Sequence, residues 1–349
     1  MNNNSFFSTE ILRWFRENGR DLPWRETRDP YAIWLSEIIL QQTRIAQGWE
    51  YWERFMQTYP KVEDLAAASE DDVLKLWQGL GYYSRARNLH TAAKQIVALG
   101  DFPNTLEGIK SLKGVGDYTA AAIGSFAFDI PAAVVDGNVY RVLSRYFGID
   151  TPINSTQGKK EFAALAQSLL PASDAASYNQ GMMDFGAIQC TPQSPKCLLC
   201  PLAETCEALR CGRVEELPVK NKTVKVKTRH LSYIYIRCKS SAADGIGKSE
   251  PMVAIHRRGE GDIWQGLWEP YNVSDVKELP SFVKNPILLA KDVKHVLTHR
   301  ILLADFYLLE TESRPPLPDD YVWIKESEIE DYGVPRLIEI MLEKINPAE

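Results

Sequence analysis

The amino-acid sequence predicts a multidomain chain in which an all-helical domain at residues 1–215 is followed by a smaller α+β domain at residues 230–349, with a basic linker at 216–229. Three observations carry this division. Through the first part, apolar residues recur at helical spacing between short turns. Around Pro218 the texture changes, and residues 221–229 are basic and lack an apolar core pattern. Beyond them the apolar runs become short and partly alternating, as strands are. At 349 residues the chain can bury two separate cores.

The elements follow in order. Residues 10–18 carry Ile11, Leu12 and Phe15 on one helical face, and Gly19 can end that helix. Asp29-Pro30 supplies an N-cap and a proline at the first helical position; that helix is expected to run through Trp34 and Ile38 to about Tyr51, stopping before Pro60. Ser69 with Asp72 suggests a capping box. Further helices are expected at 84–99 and 119–126, and another from Asn138. In the second part, 230–238 sets Leu231, Tyr233 and Tyr235 against Ser232, Ile234 and Ile236, a strand with both faces partly apolar. Strands are also expected at 252–256, 286–289, 300–309 and 321–324, with a closing amphipathic helix at 334–344. No internal repeat or low-complexity tract is present.

The N-terminal residues lack the basic start and apolar run of a secretory signal, and no stretch is apolar enough to span a bilayer. A soluble, reducing, cytoplasmic setting is expected, which turns cysteines toward metal. The net charge of −6 argues weakly against a nucleic-acid partner. Placement matters more than the sum, however. Basic residues gather at Arg85, Arg87 and Lys94, at Arg141 and Arg145, and between Lys220 and Arg229, whereas acidic residues gather near the C-terminal end.

Four segments carry candidate chemistry. Cys190, Cys197, Cys200 and Cys206 stand in a C-x6-C-x2-C-x5-C run, too compressed for unrelated core thiols. Four thiolates suit either a tetrahedral zinc or an iron–sulfur cluster. Cys211 and Cys238 lie outside the run and read as plain thiols. Residues 112–119 (Leu-Lys-Gly-Val-Gly-Asp-Tyr-Thr) place two glycines in a turn before a helix. Such a turn can present backbone N–H groups to a phosphate, or can simply be a helix-turn-helix corner. Glu37 has Ile33, Trp34 and Leu40 as its helical neighbours. In that apolar stripe its pKa should rise, as a general acid needs; the plainer reading is a salt-bridged glutamate beside Arg44. Asp136, before Gly137-Asn138 and a helical run, reads as an N-cap or as a carboxylate facing a developing sugar cation.

Taken together, the hairpin at 112–119, Asp136, and the four-cysteine loop resemble the helix-hairpin-helix DNA glycosylases of the endonuclease III superfamily. Within it the chain looks like the MutY family of adenine DNA glycosylases. The matching stretches are Leu22-Pro23-Trp24-Arg25, Trp34-Leu35-Ser36-Glu37, Leu40-Gln41-Gln42-Thr43, Gly79-Leu80-Gly81-Tyr82-Tyr83 and Val135-Asp136-Gly137-Asn138-Val139. The resemblance covers nearly the whole chain. It implies a six-helix barrel with a [4Fe–4S] cluster domain, held by Cys190, Cys197, Cys200 and Cys206, and a Nudix-like lesion-recognition domain.

It also implies removal of adenine mispaired with 8-oxoguanine in double-stranded DNA, by a monomeric base-excision-repair enzyme that flips the base. Glu37 would protonate the flipped adenine, Asp136 would stabilise the oxocarbenium-like sugar, and Tyr118 and Asn138 would line the pocket together with Trp24, Arg25 and Gln180. Gln42 and Tyr82 would fill or wedge the base stack; Thr43, Leu80, Lys113, Gly114, Gly116, Thr298 and His299 would also touch DNA, and Arg141 is a further phosphate candidate. Relatives that cut the strand carry a lysine where Tyr118 stands, and a tyrosine cannot form their Schiff base, so a purely hydrolytic enzyme is expected.

Two departures matter. The REUxEExGU-type acidic cluster of Nudix hydrolases is absent, so the C-terminal domain should bind rather than hydrolyse nucleotides. Leu297-Thr298-His299 stands where the family usually has Phe-Ser-His, keeping a hydroxyl and losing an aromatic surface. The competing readings are a related glycosylase for thymine or uracil in a mismatch, and a metal-stapled DNA-binding module without catalysis.

Overall fold

The computed structural model describes residues 3–221, 226–239, 250–274 and 279–346. It divides into two compact units: residues 1–67 with 91–222, and residues 68–90 with 223–349. The first half of the chain therefore lends residues 68–90 to the C-terminal unit, which a linear cut between 215 and 230 does not show. Part of the expected linker, 222–225, lies outside the described residues.

The helices are α1 (Asn3–Asn18), α2 (Pro30–Ile39), α3 (Ile45–Thr58), α4 (Val62–Ala67), α5 (Glu70–Leu76), α6 (Ser84–Leu99), α7 (Leu106–Lys110), α8 (Asp117–Phe128), α9 (Gly137–Phe147), α10 (Thr156–Leu169), α11 (Ala175–Asp184), α12 (Glu207–Arg210) and α13 (Arg336–Ile345). The long helix expected after Pro30 is two helices. The first ends at Ile39, and Gln42 adopts a left-handed φ of 60°, which no continuing helix accommodates. Ser69 caps α5 by accepting from the Asp72 N–H, and its hydroxyl also donates to the Asp72 carboxylate at 2.6 Å.

In the first unit, Phe7, Ile11 and Trp14 of α1 meet Val142, Leu143 and Tyr146 of α9 and Tyr178 and Met182 of α11 in one core. Cys190, Cys200 and Cys206 lie against the edge of that core. Helix α2 is buried from Tyr31 through Ile39. A polar side chain on it is therefore deposited inside the protein.

The second unit is built on a seven-stranded mixed sheet of order β3-β2-β1-β6-β5, with β4 also on β1 and β7 on β2. The strands are β1 (Lys227–Cys238), β2 (Met252–Arg257), β3 (Trp268–Glu269), β4 (Tyr271–Ser274), β5 (Ile287–Val296), β6 (Arg300–Thr311) and β7 (Tyr321–Lys325). β1 and β6 run parallel in register from Lys227 against Arg300 to Cys238 against Thr311. β1 is covered on both faces, which explains its two apolar faces. Leu231, Tyr233 and Tyr235 pack with Leu337, Ile338 and Met341 of α13, while Ile234 and Ile236 face Val283 and Leu309. The short strands β3 and β4 are too brief to leave a period in the sequence.

Candidate active site

Glu37 sits in the buried stretch of α2 and is 6% exposed. Its Oε2 accepts a 2.8 Å hydrogen bond from the Tyr118 hydroxyl, at the start of α8. Burial pushes the Glu37 carboxyl up to about 7, and the Asp136 charge adds to the rise, against lowering by Tyr118 and Arg25. The reading of a surface glutamate paired with Arg44 does not survive this burial. Burial and the Glu37 charge push the Tyr118 hydroxyl upward, so it stays protonated and donates.

Asp136 is the N-cap of α9, and neither it nor Tyr118 or Asn138 is among the residues lining the cavity at Glu37. Its Oδ1 accepts from the N–H groups of Asn138 at 2.9 Å and Val139 at 2.8 Å, and its Oδ2 accepts from Asn138 Nδ2 at 2.8 Å. Burial raises its pKa, opposed by those donors and by the Arg141 charge. Arg141 is 8% exposed and is spent internally, donating from Nη2 to Asn138 Oδ1 and the Gly186 carbonyl and from Nε to the Cys190 carbonyl. The expectation that Arg141 meets phosphate is thereby overturned, because its donors already serve buried acceptors. Arg145 is likewise 2% exposed and donates to the Leu217, Thr191 and Pro192 carbonyls.

Glu37, Trp24, Arg25 and Gln180 line one cavity with Arg20, Leu22, Ser36 and Met183. At ≈ 50 Å³ it exceeds a water's share of the liquid.

The four cysteines line a common pocket with Arg145 and Gln189. Cys200 is pushed up to about 11 by burial and by the charges of Cys190, Cys206 and Cys197, despite a backbone bond from Leu202. Four cysteine sulfurs lining one pocket are a donor set that fits a cluster of thiolate-bound iron. Among the described residues no group of three or more His, Cys, Asp or Glu side chains is placed to hold a metal ion. None of the six cysteines is in a disulfide; Cys211 is exposed and Cys238 buried.

At the hairpin, Gly114 has a φ of 79°, a conformation that favours glycine, and Gly116 caps α8 with an extended backbone. Gly114, Gly116 and the Lys113 side chain are exposed, although the Lys113 N–H already donates to Gln95 Oε1 at 2.7 Å. Gln42 is exposed, and Thr43 follows it in the turn.

The remaining predicted residues lie in the second unit. Tyr82, Thr298, His299 and Leu80 line a groove of ≈ 520 Å³ with Trp264 and Arg300. Tyr82 is 52% exposed with a left-handed φ of 47°, and its hydroxyl is 2.5 Å from Thr298 Oγ1. Arg85 braces this loop by donating to the Leu80 and Gly81 carbonyls, its guanidinium 5.0 Å over the Trp77 ring.

Known proteins share this architecture. Residues 35–171 match the model of the HhH-GPD superfamily of base excision DNA repair proteins, residues 190–206 the iron-sulfur binding domain of endonuclease III, and residues 246–344 the NUDIX domain. The adenine DNA glycosylase of Buchnera aphidicola subsp. Schizaphis graminum is 30% identical over 97% of this chain and 98% of its own length. This chain belongs to the adenine DNA glycosylase family.

Its mouse relative is 43% identical over 61% of this chain, which spans only 44% of that longer protein. A solved thermostable thymine-DNA glycosylase is 34% identical, with a TM-score of 0.56 over 60% of this chain and 97% of that one. Membership makes the chain an adenine-specific DNA N-glycosylase of base excision repair, with an iron–sulfur loop and a NUDIX-type domain. No described helix is long and apolar enough to cross a membrane.

Two residues near this site, Asp184 and Gly186, escaped the sequence. Asp184 is fully buried and holds Arg20 and Arg25; the signal was an acid following Tyr178 and Met182 on a core face. Gly186 lies so close to α9 that a Cβ there would stand 2.5 Å from Asn138 Cβ. Close approach of that kind leaves no periodic trace.

Proposed function

We infer that this glycosylase hydrolyses the bond between sugar and adenine opposite 8-oxoguanine, flipping the adenine out of duplex DNA and leaving the strand uncut. The observation that carries this is Glu37, a buried carboxyl pushed up to about 7 with Asp136 as its charged neighbour. A group with that pKa keeps its proton on about half of the molecules at neutral pH, where it can act as a general acid. The two carboxylates divide the work because one proton between them relieves like-charge repulsion.

In this reading the Glu37 proton moves to a ring nitrogen of adenine, and the C–N bonding pair leaves with the base. The sugar passes through an oxocarbenium-like cation that the Asp136 carboxylate stabilises. Water then adds its oxygen to that carbon and gives up a proton, completing hydrolysis. Asn138, bonded to Asp136 through its own amide, holds the carboxylate in one pose. Trp24, Arg25 and Gln180 bound the base pocket. Tyr118 replaces the amine that strand cleavage needs, supporting hydrolysis alone.

Gln42 and Tyr82 are proposed as the residues entering the base stack; each sits on left-handed backbone, at φ 60° and 47°. Thr298 and His299 are proposed to read the oxidised guanine, and Thr43, Leu80, Lys113, Gly114 and Gly116 to touch the DNA backbone. Cys190, Cys197, Cys200 and Cys206 would hold a [4Fe–4S] cluster, which supplies a rigid staple for residues 190–206.

The test is single-turnover excision on a duplex with one adenine opposite 8-oxoguanine, with and without alkali. Breaks that need alkali support the reading. Breaks without alkali, or none at all, overturn it.

A further inference from the structure

Asp184, the last residue of α11, is fully buried, and nothing in the reaction outlined above uses it. Its Oδ2 accepts from the Arg20 N–H at 2.9 Å and from Arg25 Nη1 at 2.8 Å; its Oδ1 accepts from Arg25 Nη2 at 2.8 Å and Arg20 Nε at 2.9 Å, and pairs with Arg20 Nη2. Arg25 also donates to the Arg20 carbonyl at 3.0 Å, and its guanidinium lies 5.7 Å from the Phe15 ring centre. The guanidinium is therefore fixed from three sides. Arg20, Arg25 and Glu37 line the same small cavity.

A half-buried guanidinium lining the same cavity as a carboxyl that must keep its proton is a hazard. Left unpaired, it would draw the proton off Glu37 and form an ion pair instead. Asp184 offers it a bidentate partner, with both Arg25 Nη atoms bonded to the one carboxylate. We propose that Asp184 is a positioning residue of the glycosylase: it fixes Arg25 at the base pocket, so that Arg25 orients an entering purine while its charge is matched by Asp184 and not by Glu37.

The inference rests on Glu37 as the acid. The groups that act on Glu37 are the Tyr118 hydroxyl from α8, Asp136 ahead of α9, and Arg25 from the turn before α2. Burial works against a charged Asp184, but the bonds from Arg25 and Arg20 outweigh it and hold its carboxyl below the usual range. It is thus an anion wherever the enzyme works.

The experiment is the single-turnover excision rate against pH for the full protein, with binding to an uncleavable duplex and thermal melting measured alongside. In wild type the rate falls as pH rises through the pKa of Glu37. Asp184→Asn frees the Arg25 charge, moving that midpoint down by about one unit and cutting the rate at pH 8 by about tenfold. Asp184→Glu keeps the charge and returns the midpoint toward wild type. Arg25→Gln removes the cation and leaves Asp184 in place, so its midpoint moves up.

Opposite displacements are a signature that loss of folding alone does not produce. An unmoved midpoint in Asp184→Asn, whatever its melting temperature, overturns the proposal. If Asp184→Asn does not fold, Arg25→Gln decides, and an unmoved or lowered midpoint there overturns it. Failure of the acid assignment is distinguishable, because Glu37→Gln would then remain active and wild type would lack the limb near neutral pH.

Discussion

The Tyr118 hydroxyl donates to Glu37 Oε2 over 2.8 Å, joining the hairpin helix to the buried helix α2. A bond of this kind favours the ionised carboxylate, so it tempers the rise that burial imposes. Tyr118→Phe removes that restraint and raises the Glu37 pKa. The excision rate should then hold to higher pH than in wild type, read from single-turnover rates between pH 6 and 9 (about half a unit of displacement or more). A limb moved to lower pH would refute the coupling.

Glu37→Gln should abolish excision while leaving binding to duplex DNA intact. It should also stabilise the protein in a pH-dependent way. The folded pKa of about 7 lies above the 4.5 of an unburied glutamate, so the folded state holds the proton longer and wild-type stability declines between those values. Glutamine escapes that decline, and the variant should gain on the order of 3 kcal/mol above pH 7 and little below pH 4. Urea titrations at both pH values check the sign.

Asp136→Asn separates cap from catalysis. Asparagine caps helices as well as aspartate does, so melting should change by no more than about 1 kcal/mol. The excision rate should fall by about 10² or more, since the charge facing the sugar cation is gone. Equal losses of stability and rate would return Asp136 to a purely structural role.

Cys200→Ser should lower bound iron and the broad visible absorbance of the purified protein. Iron content at wild-type level would remove Cys200 from the ligand set. A colourless wild type containing zinc would overturn the cluster assignment.

Thr298→Val removes the hydroxyl that meets Tyr82 at 2.5 Å. The preference for 8-oxoguanine over guanine opposite adenine should shrink by up to about tenfold, the worth of one hydrogen bond, with little change in excision from guanine mispairs. Paired single-turnover rates on the two duplexes decide it.

Much of this molecule is legible in its sequence. The end of α2 was not, because Leu40 and Gln41 continue the helical period and only the left-handed Gln42 ends it. Arg141 looked like a phosphate contact because a sequence does not distinguish a surface arginine from one whose donors meet the Asn138 side chain and the carbonyls of residues 186 and 190. Residues 68–90 read as part of a helical run, and their membership in the C-terminal unit depends on partners more than a hundred residues away, such as Gln265 for Arg87 and Tyr332 for Lys75.

By itself the sequence determined the helical and α+β halves, the cysteine spacing, the hairpin glycines, and a carboxylate in an apolar stripe. These are local properties, set by periodicity, turn conformation and the spacing of like ligands along the chain. Tertiary structure alone decided that Glu37 is desolvated against Tyr118 and Asp136, and that Asp184 takes up Arg25 beside it. Desolvation and charge pairing are sums over neighbours distant in sequence, so they come into being only when the chain has closed around them.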